Sequence, residues 1–237
     1  MISALTRNQL KNFSLATAAN FLFFCNFSSF FLLPLYIQEL GGNEASIGFI
    51  MGSFGITSLG TIPLVSYLVD KYGRRRFMLM GYAVMAAASL SYLFISQMTP
   101  LFYLLRLVQG VSFAFSFTSA GTFVTDYIPA NRRAEGLGIF SAFTIASYAI
   151  GPSIGELVIA RLGFHGFFVY CSAFGVLALI LTLFIKDGDF KPSEGRFGSS
   201  FFRLIVSKRF SIILLSNLIL AGGLGAILNF VAVFLRS

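Results

Sequence analysis

The chain has 237 residues, of which 57% are hydrophobic and 11% are charged, and its formal net charge is +8. Soluble domains average about 25% charged residues, so this composition, with 30 phenylalanines and a mean hydropathy of +0.84, excludes a soluble domain and predicts an integral membrane protein. The basic residues lie in short gaps between apolar runs, so the positive charge does not indicate binding to nucleic acid.

Seven apolar segments are long enough to cross a bilayer, which takes about 20 residues of helix. In chain order they span residues 13–37, 45–69, 77–96, 101–125, 136–160, 164–185 and 211–235. An α-helix satisfies its own backbone polar groups inside lipid, so we predict an all-α integral membrane fold, a six-helix bundle followed by a seventh transmembrane helix. The first segment is much longer than the roughly 7–15 apolar residues of a signal peptide, which favours a membrane helix over a leader.

The distribution of Lys and Arg predicts the orientation of the chain. Of the 17 basic residues, Arg106 lies inside a helix, and Arg161 and Arg236 fall in gaps on one side of the membrane. The other 14 lie in gaps on the opposite side: Arg7, Lys11, Lys71, Arg74, Arg75, Arg76, Arg132, Arg133, Lys186, Lys191, Arg196, Arg203, Lys208 and Arg209. Because basic loops stay inside, we expect a cytoplasmic N-terminus in a bacterial inner membrane.

Three motifs occur on these helices. Between the second and third, the chain reads Ser66-Tyr67-Leu68-Val69-Asp70-Lys71-Tyr72-Gly73-Arg74-Arg75-Arg76. The fourth helix contains Arg106-Leu107-Val108-Gln109-Gly110, and the fifth contains Gly151-Pro152-Ser153-Ile154-Gly155. In this order they resemble the loop motif, the Arg-x-x-Gln-Gly element and the antiporter motif of the major facilitator superfamily of transporters. The chain departs from the family pattern at Ser66, Ser147 and Glu156, where the family has Gly.

The resemblance implies a division of the chain into three parts. Residues 1–185 would form a six-helix N-terminal half, residues 186–210 a basic cytoplasmic loop between halves, and residues 211–237 helix 7 as the first helix of a truncated second half. Within the loop, residues 196–209 alternate apolar and basic side chains, as in segments that lie on an anionic membrane surface. A basic tether between two unrelated membrane pieces is the alternative.

The loop motif is expected to act as a cytoplasmic gate. Asp70 ends the second helix, Gly73 makes the turn, Arg74 follows it, and Asp126 ends the fourth helix on the same side. Asp–Arg pairs among these residues would hold helix ends together, and the resemblance implies that this latch closes against the second half. The alternative is that the arginines serve only the orientation of the chain.

Arg106 and Glu156 are candidate residues of a substrate and proton pathway. Arg106 lies about five residues, or roughly 8 Å, from the outer end of its helix, and Glu156 lies at a similar depth on the next helix. A charge at that depth is costly and indicates function, so we predict an Arg106-centred site with Gln109 and a direct Arg106–Glu156 pair. Alternatively, both side chains extend separately to the surface, or Glu156 pairs with Arg161.

A stripe of side chains on the first helix is a second candidate for the substrate site. Asn20, Phe24, Phe27 and Phe31 share one helical face. Helix 1 borders the cavity in the family that the chain resembles, although a lipid-facing or packing stripe is the alternative. The fourth helix carries Arg106 and Gln109 with Phe113 and Phe117 on one face, which favours a second cavity wall.

Nothing in the sequence resembles an enzyme, a cofactor site or a metal site, because catalytic motifs and metal-spaced Cys/His clusters are missing from it. The resemblance instead implies a secondary transporter, and we expect a proton-coupled exporter of a small organic compound working by alternating access. Its expected partners are the substrate, protons, the lipid bilayer and a second chain that supplies the missing helices. A non-transporting fragment and a seven-helix receptor are the alternatives, the latter disfavoured by the predicted cytoplasmic N-terminus.

Overall fold

The computed structural model describes residues 6–186 together with residues 219 and 223. Within that part the chain is helical and contains no strand. Its six helices are α1 (Arg7–Glu39), α2 (Glu44–Tyr72), α3 (Arg74–Phe94), α4 (Leu101–Tyr127), α5 (residues 133–162) and α6 (residues 164–183). The first six predicted helices are thus confirmed, whereas the loop after Lys186 and the predicted seventh helix lie outside the described residues.

The last two helices are one apolar stretch, Ala130–Leu183, that folds back on itself. Its 54 residues would be about 81 Å long as one helix, far more than the roughly 30 Å of a hydrocarbon core. Gly163 has a φ of +66° and divides the stretch. The Tyr170 hydroxyl donates to the Gly151 carbonyl at 2.9 Å, and Gly155 lies against the Phe167 ring. These contacts pair α5 and α6 antiparallel, so each crosses the membrane separately.

Two helix starts differ from the predicted boundaries for identifiable reasons. The first helix begins at Arg7 rather than residue 13, because Thr6 and Gln9 form a capping box in which each side chain bonds the other's backbone N–H. The third begins at Arg74 rather than residue 77, immediately after Gly73, whose φ of +97° a side chain would oppose. Both helices therefore extend beyond their apolar segments into polar sequence.

Asparagine side chains tie α1 to its neighbours. Asn26 is fully buried, and its Nδ2 donates to the Ser89 hydroxyl on α3 at 3.1 Å and to the Cys171 carbonyl on α6 at 2.5 Å. Asn20 Nδ2 donates to the Thr144 hydroxyl on α5 at 2.8 Å. Hydrogen bonds between helices have few competitors in an apolar medium, so these contacts help to place α1 at the centre of the bundle.

Hydroxyl groups follow a different pattern, because many bond the backbone of their own helix. Within the described part of the chain, ten Ser and Thr hydroxyls donate to the carbonyl four residues earlier, at 2.5–3.0 Å: Ser29, Thr57, Thr61, Ser89, Ser91, Ser119, Thr122, Thr125, Thr144 and Thr182. This local bond satisfies the hydroxyl without a partner from another helix.

Three side chains meet the end of α6, at the end of the bundle where α2 joins α3. Arg75 Nη2 donates to the Leu183 carbonyl at 2.9 Å, and its Nε donates to the Thr182 carbonyl at 3.3 Å. The Asn12 amide and the Tyr127 hydroxyl both donate to the Lys186 carbonyl, at 3.2 and 2.8 Å. The carbonyls in the last turn of a helix lack intrahelical donors, and Lys186 follows that turn, so donors from other helices help to satisfy this end of α6.

Candidate functional site

Aromatic rings from four helices form one continuous surface, which we call the aromatic wall. It consists of Phe27 and Phe31 on α1, Phe54 on α2, Phe113 and Phe117 on α4, and Tyr148 on α5. The ring centroids of Phe27 and Phe113 are 4.9 Å apart, those of Phe54 and Phe113 are 5.4 Å apart, and Phe31 stacks on Tyr148 at 5.9 Å. Phe117 is 50% exposed and the other five rings are partly exposed, so the wall is an accessible surface.

The residues of the predicted stripe on helix 1 have different environments, because some belong to the aromatic wall and others are buried behind it. Phe27 belongs to the wall, and Phe24, which is 2% exposed, packs behind it against Phe113 and Tyr148. Asn20 is buried, with its amide bonded to Thr144, so it joins α1 to α5 rather than lining the wall. The predicted stripe on helix 4 does meet the stripe on helix 1, through contacts of Phe113 and Phe117 with Phe24.

Arg106 lies buried beside the wall, with only 3% of its surface exposed. Its Nη1 donates to Gln109 Oε1 at 3.2 Å, and its Nη2 lies 2.7 Å from the Met51 sulfur. The guanidinium carbon also lies 5.5 and 5.6 Å from the ring centroids of Phe30 and Phe54, within the range of cation–π attraction. The cation is therefore held by an amide, a thioether and two aromatic faces.

A proline on α1 explains one further contact of Arg106. In a regular helix the Phe30 carbonyl would accept the N–H of residue 34, but Pro34 has none. The chain tightens to a 3-10 turn at Phe30–Leu32, in which the Leu33 N–H bonds the Phe30 carbonyl. Arg106 Nη2 also approaches that carbonyl, at 3.5 Å. Pro34 thus leaves an acceptor with spare capacity near the buried cation.

The predicted pair of Arg106 and Glu156 does not form. Arg106 is buried, whereas Glu156 is exposed on α5, and the described residues contain no ion pair between them. Equal depth on adjacent helices does not bring two side chains together, because each must also point towards the other.

A three-residue charge cluster lies where α2 meets α3. Arg74 Nε is 2.8 Å from Asp126 Oδ2 at the end of α4, and its Nη2 is 3.5 Å from Asp70 Oδ1. The Arg74 side chain is 15% exposed, while both carboxylates are about half exposed. One guanidinium therefore joins the ends of α2, α3 and α4, and the Gly73 turn places it there.

The glycines of the two intrahelical motifs lie at close contacts between helices. A Cβ at Gly110 would lie 2.7 Å from the Phe54 carbonyl oxygen on α2, and one at Gly151 would lie 2.6 Å from the Cys25 carbonyl oxygen on α1. Gly155 faces Phe167 and Leu32 at 3.0 and 3.2 Å. Pro152 lies inside α5 and leaves the Tyr148 carbonyl without its helical donor. These motif residues therefore shape the helix contacts around the wall.

Sequence reasoning missed Phe54, Tyr148 and Met51 as neighbours of the site. Gly110 packs against the backbone of α2 at Phe54, so a small residue on the fourth helix indicates a close helix contact but does not single out the Phe54 ring. Tyr148 lies four residues before Pro152 on the helix that carries the predicted motif. Helical spacing could therefore have placed it beside that motif. No local pattern distinguishes Met51 from other apolar residues of α2.

Comparison with known proteins identifies the family. The family model of the Major Facilitator Superfamily matches residues 15–237. An uncharacterized MFS-type transporter of Methanocaldococcus jannaschii is 29% identical over 85% of this chain and 55% of its own length. Multidrug resistance protein 1 of Bacillus subtilis is 26% identical over 85% of this chain and 52% of its own length. Quinolone resistance protein NorA of Staphylococcus aureus is 22% identical over 82% of this chain and 50% of its own length.

The chain thus spans about half the length of the curated relatives that it matches. The match covers all six described helices except the first turns of α1, and it includes the three motifs and the aromatic wall. The chain therefore belongs to the major facilitator superfamily of membrane transporters.

Proposed function

We propose that this protein takes part in the export of a small aromatic organic compound by alternating access, with the aromatic wall as this half's part of the substrate site. The observation that carries the proposal is the continuous surface of rings from α1, α2, α4 and α5, next to the buried Arg106. Aromatic rings offer large apolar contact area and stacking faces to a flat ligand. Relatives named for multidrug and quinolone resistance support export as the direction.

We propose that protons drive the export. Glu156 is the one carboxylate within the described spans that lies away from their ends. A carboxylate at that position can bind a proton from one side of the membrane and release it to the other as the transporter changes conformation. In this proposal Arg106 acts on the substrate side and Glu156 acts separately, since the two make no ion pair. Residues 1–185 act as one half, and the rest of the transport unit comes from residues after 210 or from a second chain.

Dye accumulation in cells tests the function. Cells that express the chain should accumulate less of a fluorescent aromatic dye than cells with an empty vector, and a protonophore should remove the difference. Phe113→Ala should weaken dye handling roughly two- to tenfold, because it removes the ring at the centre of the wall. Phe94→Ala is the matched control, since that ring is 83% exposed at the end of α3 and off the wall.

The same assay across pH tests the coupling, because Glu156→Gln should flatten the pH dependence of accumulation without abolishing it. Equal accumulation with and without the chain contradicts export. A protonophore-insensitive difference, or an unchanged pH profile for Glu156→Gln, contradicts the proton coupling alone.

We also propose that the end of the bundle where α2 meets α3 faces the cytoplasm, on the strength of its basic residues. The test is a cysteine placed at the exposed Arg76 in a background with the buried Cys25 and Cys171 replaced by serine. A membrane-impermeant maleimide should label this site in inverted vesicles and not in intact cells. A cysteine at the exposed Arg161 should show the reverse, and labelling of Arg76→Cys from outside would overturn the orientation.

A further inference from the structure

The charges near the aromatic wall have one sign. The six carboxylates in the part of the chain that the structure describes are Glu39, Glu44, Asp70, Asp126, Glu135 and Glu156. Five of them lie at helix ends or in the connections between helices, and Glu156 is exposed on α5. None of them forms an ion pair with Arg106. The wall therefore has a buried cation beside it and no described carboxylate to balance that charge.

The polar groups around this cation offer hydrogen-bond donors in excess of acceptors. Gln109 is 1% exposed, and its Oε1 already accepts from Arg106 Nη1 at 3.2 Å and from the Tyr92 hydroxyl at 3.3 Å. Arg106 Nε and Gln109 Nε2 are both buried and make no hydrogen bond to any described residue. A buried donor without a partner is costly, so this cluster favours a ligand group that supplies acceptors only.

The residues that cover the cation also belong to the wall or lie beside it. Phe54 is a wall ring and lies over the guanidinium at 5.6 Å. Met51, one turn earlier on α2, is partly exposed and places its sulfur 2.7 Å from Nη2. A thioether is a weak acceptor on a flexible side chain, so a charged oxygen that displaces it forms a stronger hydrogen bond with the guanidinium.

We infer that the ligand of this half is an aromatic compound with an acidic group such as a carboxylate. Its ring lies on the aromatic wall, and its carboxylate replaces Met51 at Arg106 and accepts from Gln109 Nε2. A guanidinium matches the two oxygens of a carboxylate, and the low polarity of the surrounding rings strengthens the contact. This inference rests on the proposed substrate site and adds the charge of the substrate.

Three probes that share a ring and differ in charge test the inference: 2-naphthoate, 2-naphthylmethanol and 2-naphthylmethylammonium. Their binding to the full 237-residue chain in phosphatidylcholine nanodiscs is measured by equilibrium dialysis, with empty nanodiscs subtracted. The naphthoate should bind about tenfold or more tightly than the ammonium probe. The preference should persist at 0.5 M salt, which screens the net charge of +8 but not a buried contact.

Two variants of Arg106 and one control locate the preference. Arg106→Gln should remove it while the neutral alcohol still binds, and Arg106→Lys should retain part of it. Arg161→Gln removes an exposed cation elsewhere and should leave the preference unchanged. If Arg106→Gln does not fold, the comparison of the three probes on the unmodified chain and on Arg106→Lys still decides.

Binding of the ammonium probe as tight as that of naphthoate would overturn the inference, as would a preference that survives in Arg106→Gln or disappears in high salt. If 2-naphthylmethanol binds and Phe113→Ala weakens it, the wall remains the substrate site and only the acidic group is wrong. If none of the three probes binds, the proposed substrate site fails together with the inference.

Discussion

Gly110→Ala is expected to lower the stability of the folded chain by about 1–3 kcal/mol, the usual cost of overpacking a tight contact. The added methyl would lie 2.7 Å from the Phe54 carbonyl oxygen, 2.9 Å from Thr57 Cβ and 3.1 Å from the Ser58 nitrogen. Two of these three atoms belong to the backbone of α2, so no side-chain rotation relieves the clash. The helices α2 and α4 must move apart, and Phe54 would move away from Arg106.

Thermal unfolding in detergent measures the effect, and Gly121→Ala on the same helix is the matched control. A Cβ at Gly121 meets nothing within 4 Å, so the two substitutions differ in packing and share the same change in helix propensity. Gly121→Ala should be neutral or slightly stabilising. Equal melting temperatures for the two variants would show that α2 and α4 are not in backbone contact in the folded protein.

Arg74→Ala is expected to have the largest effect on transport, with a smaller effect on stability of about 1 kcal/mol, because the carboxylates are half exposed. The substitution leaves Asp70 and Asp126 without the cation between them, and their mutual repulsion separates the ends of α2 and α4. The dye-accumulation assay should show loss of export. Arg76→Ala is the matched control, since Arg76 carries the same charge in the same first turn of α3 and is exposed.

A double substitution separates pairing from charge. Asp126→Asn combined with Arg74→Ala should be less damaging than the sum of the two single changes, since the ion pair is lost only once. Additive effects on unfolding would mean that the 2.8 Å contact contributes nothing. Equal loss of export in Arg74→Ala and Arg76→Ala would reduce the loop to a determinant of orientation.

The sequence predicts this fold well because membrane helices have a required length. Apolar runs of about 20 residues gave six helices in the described part, and the short sequence separation of Asp70 and Arg74 brings their side chains together across the Gly73 turn. The contact of Arg74 with Asp126 depends on α3 and α4 packing side by side. The sequence predicts this contact because both residues lie at helix ends on the same side of the membrane.

The site was less predictable because depth is encoded in the sequence and rotation is not. Arg106 was expected to lie within the membrane span, and the structure buries its side chain between helices. Its expected partner Glu156 is exposed on α5, and the Met51 sulfur contacts the guanidinium instead. In a chain with 30 phenylalanines, helical spacing alone does not separate the wall ring Phe27 from the supporting ring Phe24. That distinction depends on how α1 turns towards α4 and α5.

The local bonding of hydroxyls has a consequence for how the chain enters the membrane. A Ser or Thr hydroxyl that already bonds a carbonyl of its own helix brings no unpaired donor into lipid, so that group does not oppose insertion of the helix before its neighbours arrive. Asn26 and Arg106 differ. The Asn26 amide depends on α6, which is synthesised later, and the Nη2 group of Arg106 depends on Met51 of α2, which is synthesised earlier. During biogenesis each of the ten hydroxyls already has a carbonyl acceptor on its own helix, whereas the Asn26 amide and the Nη2 group of Arg106 gain their partners only when the helices assemble.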